Sequence, residues 1–151
     1  MQTKNPLENL KSVDLSHLSK AEAKEFTLLL EELEKREKRE SSMASFYDFV
    51  KTIWPEFIAG AHHKKMAEAF DKIANGESKR LIINMPPRHT KSEFASIYFP
   101  SWVMGLKPDM KIMQTTHTAD LSINFGRKVR NLMDSDEYSK IFPKVSLACL
   151  L

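Results

Sequence analysis

Short apolar runs alternating with stretches of helical period predict an α/β fold: a parallel sheet flanked by helices, behind an N-terminal helical region. Two runs read as strands, 80–84 (Arg-Leu-Ile-Ile-Asn) and 111–116 (Lys-Ile-Met-Gln-Thr-Thr), and each leads through a loop into a helix. The loop after the first run holds two prolines and then Lys91-Ser92. Strand, loop, Lys-Ser and helix, in that order, is the layout of a phosphate-binding loop. The prediction is therefore a P-loop NTPase-type sheet, incomplete because no further strand is legible.

The chain opens with 1–13, polar and without period, read as a loose arm. Ser19 with Glu22 forms a capping-box pattern ahead of a long helix. Phe26, Leu29, Leu30 and Leu33 share one face of it, and 31–40 is nearly all Glu, Lys and Arg. Such a run is either a solvated helix helped by i,i+4 ion pairs or a coiled coil that meets a partner. Ser41 and Ser42 mark a break, which divides 1–43, an arm and charged helix, from 44–151.

Phe46, Tyr47, Phe49, Val50, Ile53, Trp54, Phe57 and Ile58 then crowd together, as a helix face packed on the sheet or as a wall for a flat base. Pro55 ends that helix near Trp54. The next helix, 62–74, stops at Asn75-Gly76, a good C-cap pair. Its adjacent His62 and His63 are expected on different sides of the helix, as surface or helix-start residues rather than metal ligands. After the loop come a helix over 91–104, a turn at Gly105, Lys107 and Pro108, and a helix over 119–133 capped by Thr118 or Ser122. Leu121, Phe125, Val129 and Leu132 make its buried face. Arg127, Lys128 and Arg130 lie mostly elsewhere on it, serving solubility or contacting phosphate.

Phosphate chemistry explains the residue types of the loop. Backbone N–H groups of His89, Thr90, Lys91 and Ser92, at the mouth of a helix, form a cradle for phosphate oxygens. Lys91 adds a full charge near the β- and γ-phosphates, and the Ser92 hydroxyl can complete the shell of Mg²⁺. Pro86 and Pro87 have no N–H to donate and shape the loop instead. The pattern departs from G-x-x-x-x-G-K-[ST] at both glycines, with Met85 at the first and Thr90 at the second. A threonine in the left-handed conformation costs roughly 1–2 kcal/mol. Either the loop avoids that conformation at Thr90 or the fold carries the strain. An ordinary strand–loop–helix junction with an exposed lysine is the plainer alternative.

The stretch Met-Pro-Pro-Arg-His-Thr-Lys-Ser-Glu, 85–93, resembles the Walker A loop of the large terminase subunit of tailed bacteriophages. The likeness continues through 96–102, 118–121 and 125–130 and reaches back to 62–68, within a span of 44–147. The resemblance implies that 44–151 is the N-terminal part of a P-loop ATPase domain, belonging to an ATP-driven motor that packages viral DNA into a procapsid. It implies ATP and Mg²⁺ as ligands, with Pro87, Arg88, His89, Thr90, Lys91 and Ser92 at the nucleotide and Ser92 at the metal. Arg88 is implied as the catalytic arginine, stabilising γ-phosphate charge in its own subunit or a neighbour's; a loop-to-sheet salt bridge is its other reading. His89 receives no role. The implied partners are double-stranded viral DNA, the portal, the small terminase subunit and a homo-oligomeric ring, in the cytoplasm of the infected bacterial host. Adenine contacts upstream of the loop fall to the aromatic cluster on the same grounds.

Composition excludes several other classes. At 42% apolar and 28% charged the chain has ordinary soluble composition, and a net charge of +3 does not argue for DNA or a membrane. The one cysteine, Cys149, excludes an internal disulfide and suits a reducing compartment. There is no apolar signal-peptide core in 1–10 and no run near the roughly 18 apolar residues that span a bilayer, so no membrane is expected. After the loop no apolar run ends in Asp-Asp or Asp-Glu, so the Walker B carboxylates of a packaging ATPase are missing, as is a nuclease-type acidic cluster. The Asp134-Ser135-Asp136-Glu137 cluster follows a helix rather than a strand. The likeness fails at Ala148-Cys149-Leu150-Leu151, so the chain reads as a truncated or frame-shifted piece with little or no ATP turnover. Half a sheet also leaves an unpaired edge and poor solubility. The alternative is a stand-alone nucleotide-binding, or DNA- or partner-binding, protein without turnover.

Overall fold

The structure, a computed structural model, describes residues 19–145. The arm at 1–13 and the apolar tetrapeptide that contains Cys149 lie outside the described residues. The chain divides into two units, Met1–Glu40 and Ser41–Leu151. Helix α1 (Lys20–Ala44) begins in the first. Its capping box is formed: Glu22 N–H donates to Ser19 Oγ at 3.3 Å, and Ser19 N–H donates to the Glu22 carboxylate at 2.8 Å. Those bonds to Ser19 hold the Glu22 carboxyl below its usual range. Further along, Arg36 and Glu40 pair at 2.9 Å across one turn, mostly in solvent. The helix does not break at Ser41-Ser42. It runs on to Ala44, because Ser42 is buried and its Oγ donates to Thr52 Oγ1 at 2.9 Å.

The second unit continues with α2 (Phe46–Ile53), α3 (Ala61–Ala74), α4 (Lys91–Glu93), a π-helical turn (Phe94–Tyr98), α5 (Phe99–Leu106), α6 (Ala119–Met133) and α7 (Asp136–Ile141). Hydroxyls start three of these helices: Ser45, Thr118 and Ser135 accept from the N–H groups of Asp48, Leu121 and Tyr138. Helix α2 stops just ahead of Pro55, and α3 ends at Asn75 with Gly76 at φ 80°, the left-handed position that favours glycine. The π turn has a covalent cause. Pro100 has no N–H for the carbonyl four residues back, and its ring crowds that carbonyl. The preceding turn widens, and Phe99 N–H reaches Phe94 O.

The expected α/β sheet is corrected to an all-α fold: among the described residues no strand is present. A strand needs a neighbour for its N–H and C=O groups and a layer over its apolar face. Among the described residues 80–84 and 111–116 have no strand partner, and although Ile83 packs against the core, Ile82 is 92% and Met113 88% exposed. What buries apolar surface here is helix against helix.

Phe46 is the hub of that core, fully buried and edge-on to Phe70, Phe94 and Phe99, with Trp102 tilted against it at 5.6 Å. Phe49 faces Tyr138 and Phe142, which brings α7 onto α2. The polar tips of the large side chains are satisfied. Trp102 Nε1–H donates to Ser42 O and the Tyr138 hydroxyl to Ser101 O, each at 2.8 Å. Lys107 lays its ammonium on Ala74 O at 2.6 Å, a cation at the C-terminus of α3. On α6 the expected inner face, Leu121, Phe125, Val129 and Leu132, is only half covered, and Met133 is the residue driven fully inside.

Candidate phosphate-binding loop

Every residue expected at the nucleotide lies in one place. Pro87, Arg88, His89, Thr90, Lys91 and Ser92 line a single open pocket of about 450 Å³, with Glu93 as its remaining wall. The loop enters this pocket from 80–85 and leaves as a helical stretch over 91–106.

Its backbone is unusual at two points. Arg88 has φ 65° and Thr90 φ 53°, and no other non-glycine residue described here has a left-handed φ. The strain posed by a threonine in the second glycine slot is thus carried rather than avoided. His89, between the two, stays outside the left-handed region. Left-handed residues beside one of ordinary hand are the kind of main chain in which successive N–H groups can form an anion-binding nest. The side chain of Thr90 adds nothing to the helix start: although it stands at the N-cap of α4, its hydroxyl does not cap. Ser45, Thr118 and Ser135 do cap in the same position, which leaves the first amides of α4 for another acceptor.

Lys91 bends back so that its ammonium donates to Met85 O at 2.6 Å, strapping the two ends of the loop together. Ser92 is exposed in the first turn of the helix. Glu93 meets Lys128 at 3.4 Å, both side chains half in solvent, so α6 touches the base of the loop through one weak ion pair. Arg88 is exposed, and among the described residues no carboxylate pairs with it. The loop-to-sheet salt bridge therefore has neither its sheet nor its partner. His89 Nδ1–H donates to Pro87 O at 2.9 Å, a local bond that keeps the loop turned.

No protein-family model, no curated protein and no solved structure matches this chain.

The two histidines ahead of the loop sit in the first turn of α3 as helix-start residues, but not on different sides of it. His62 and His63 do not diverge: their rings lie 3.8 Å apart, and their Nε2 atoms are 3.1 Å apart. His63 is only 6% exposed, held between Phe57 and Phe94. Its Nδ1 accepts from Gly60 N–H at 2.9 Å, as the third helical residue reaching back to the N-cap. The proton of the neutral ring is thereby assigned to Nε2, which meets Thr90 Oγ1 at 2.5 Å. Burial first, then the neighbouring His62 and His89, push the His63 pKa down and keep it neutral. The cue in the sequence was its place at the third position of α3, three residues after Gly60; adjacency to His62 hid it. Among the described residues no group of three His, Cys, Asp or Glu side chains is arranged to hold a metal ion. No helix of the described residues is long and apolar enough to cross a membrane.

Of the aromatic cluster, Phe46, Phe49 and Val50 are core and face no solvent. Trp54 stacks on Tyr98 at 6.0 Å with the rings 8° from parallel, and Ile58 points into water.

Proposed function

We propose that this chain binds the polyphosphate of ATP with Mg²⁺ at the loop 85–92, as the nucleotide-binding part of a terminase-type DNA-packaging motor. The observation that carries the reading is the pair of left-handed residues, Arg88 and Thr90, directly ahead of a helix that begins Lys91-Ser92. Strain of this kind persists where the surrounding structure holds it and concentrates at ligand sites. In this reading the amides of His89, Thr90, Lys91 and Ser92 donate to phosphate oxygens. The Lys91 ammonium exchanges the Met85 carbonyl for a phosphate oxygen, a charged and therefore stronger acceptor. Arg88, with which no carboxylate of the described residues pairs, is available to the terminal phosphate.

The residues present suit the metal as well. Mg²⁺ keeps several waters and binds largely through the phosphates of its nucleotide, and the exposed hydroxyl of Ser92 would supply one protein oxygen beside them. When bound, the ion neutralises phosphate charge. The partners that go with this reading are double-stranded viral DNA, the portal, the small terminase subunit and further copies of the chain in a ring, in the cytoplasm of an infected bacterium. They rest on the likeness of 85–93 and its flanking segments.

Calorimetric titration with Mg·ATP tests the site. Wild type binds, and Lys91→Ala weakens binding by tenfold or more, equivalent to at least about 1.4 kcal/mol. AMP, which lacks the β- and γ-phosphates, binds much more weakly than ATP. Equal affinity of wild type and Lys91→Ala contradicts the assignment.

A further inference from the structure

The second glycine of a phosphate-binding loop is replaced by Thr90, yet Thr90 adopts the conformation glycine would take, with φ 53° and ψ 10°. Something outside the loop must hold it there. Its own helix does not, because its hydroxyl makes no cap bond. The contact that does reach it comes from 27 residues earlier: His63 Nε2 at 2.5 Å from Thr90 Oγ1. We propose that His63 is a positioning residue that pins Thr90 in the left-handed conformation, so that a histidine on α3 does for this loop what a glycine does in the usual pattern. The inference rests on the phosphate-loop reading given above and names what maintains that site.

Three features make His63 a rigid anchor rather than a chance neighbour. It is wedged between Phe57 and Phe94, with ring centroids at 4.7 and 5.3 Å, and Phe94 itself packs on the core hub Phe46. Its other nitrogen is committed to Gly60 N–H at 2.9 Å, which fixes the ring's tautomer and leaves the Nε2 proton pointing at the loop. Close approach also fixes its neighbour. A Cβ on Gly60 would lie 2.8 Å from the half-buried His62 ring, so a larger residue there would displace that ring. His62 Nε2 lies 3.1 Å from His63 Nε2, and the His89 ring stands 5.5 Å from that of His62. The loop's main-chain geometry is thereby tied through one hydrogen bond to the best-packed part of the molecule.

Chemistry separates two substitutions of the anchor. In His63→Asn the amide oxygen falls near the Nδ1 position and can keep the Gly60 cap, while the reach to Thr90 is lost. In His63→Gln an amide N–H extends to the Nε2 position and can still donate to Thr90. The experiment measures Mg·ATP affinity for wild type, His63→Asn, His63→Gln, Thr90→Gly and the double variant His63→Asn/Thr90→Gly, alongside urea unfolding of each. The expected result is a loss of about tenfold in His63→Asn, recovery of most of it in His63→Gln, and an effect of His63→Asn below about twofold once residue 90 is glycine. Whatever affinity Thr90→Gly itself shows, a loss of the same size in both backgrounds, or none in either, overturns the proposal. Failure of wild type to bind Mg·ATP sinks the functional reading instead, and the unfolding data then decide the anchor. Non-additive stabilities of the two sites sustain the tether; additive ones overturn it.

Discussion

Replacing Phe46 by alanine and, separately, Ile82 by alanine places the core in one pair of measurements. Phe46 is fully buried and meets Phe70, Phe94 and Phe99 edge-on at 5.1, 5.5 and 5.8 Å. Emptying such a site costs about 3–5 kcal/mol, a large share of the roughly 5–15 kcal/mol that holds a small domain together. Ile82 is 92% exposed, so its truncation should stay within about 0.5 kcal/mol. Had 80–84 been a strand buried in a sheet, the same change would cost about 2–5 kcal/mol. Urea unfolding followed by the fluorescence of the buried Trp102 reads both. With a slope of about 2 kcal/mol per molar, Phe46→Ala lowers the midpoint by about 2 M and Ile82→Ala by a quarter of a molar or less. An Ile82→Ala loss above about 2 kcal/mol refutes the all-α packing. A Phe46→Ala loss below about 1 kcal/mol refutes its place at the centre of the core.

Three further outcomes follow from single contacts. Gly105→Ala puts a Cβ 2.5 Å from the buried Phe142 ring, so overpacking of about 1–3 kcal/mol outweighs the better helix propensity of alanine and lowers the melting temperature. Tyr138→Phe removes the 2.8 Å bond to Ser101 O and costs about 0.5–1.5 kcal/mol at neutral pH. Burial holds the Tyr138 phenol well above its ordinary value of 10.0, so its contribution is complete below that pH and fades as pH rises beyond it. The alkaline decline should therefore flatten in Tyr138→Phe. His63 runs the other way. Its pKa is depressed by burial, so its contribution is present above 6.5 and is lost as pH falls through the lowered value. The stability profile of His63→Gln should lose that acid-side decline; matching slopes in the two profiles would count against the buried neutral ring.

The helices were readable because their signals are local. The Ser19–Glu22 box, Pro55 after Trp54 and Asn75-Gly76 each act within one turn, and α1, α2 and α3 start or stop beside them. The strands were misread because pairing is not local. Leu81, Ile82 and Ile83 have the composition of a strand, but nothing in those residues says whether a neighbour lies beside them. The helix start at Lys91-Ser92 was legible by spacing, and the pattern marked Thr90 as the place where strain is either avoided or carried. Its anchor was not, since His63 lies 27 residues away and its burial depends on Phe57 and Phe94 meeting around it. The two units divide between Glu40 and Ser41, but the helix itself runs past Ser41-Ser42 for a similar reason: small polar residues mark helix breaks when solvated, and Ser42 is instead buried against Thr52.

The most direct test of the account is the amide NMR spectrum of the ¹⁵N-labelled protein during titration with Mg·ATP. The account predicts that the largest shifts fall on the N–H signals of His89, Thr90, Lys91 and Ser92, with the helical amides of α7 unmoved, and that Lys91→Ala abolishes them. Saturating Mg·ATP with no movement of those four signals, or shifts confined to other segments, contradicts a phosphate-binding role for the loop.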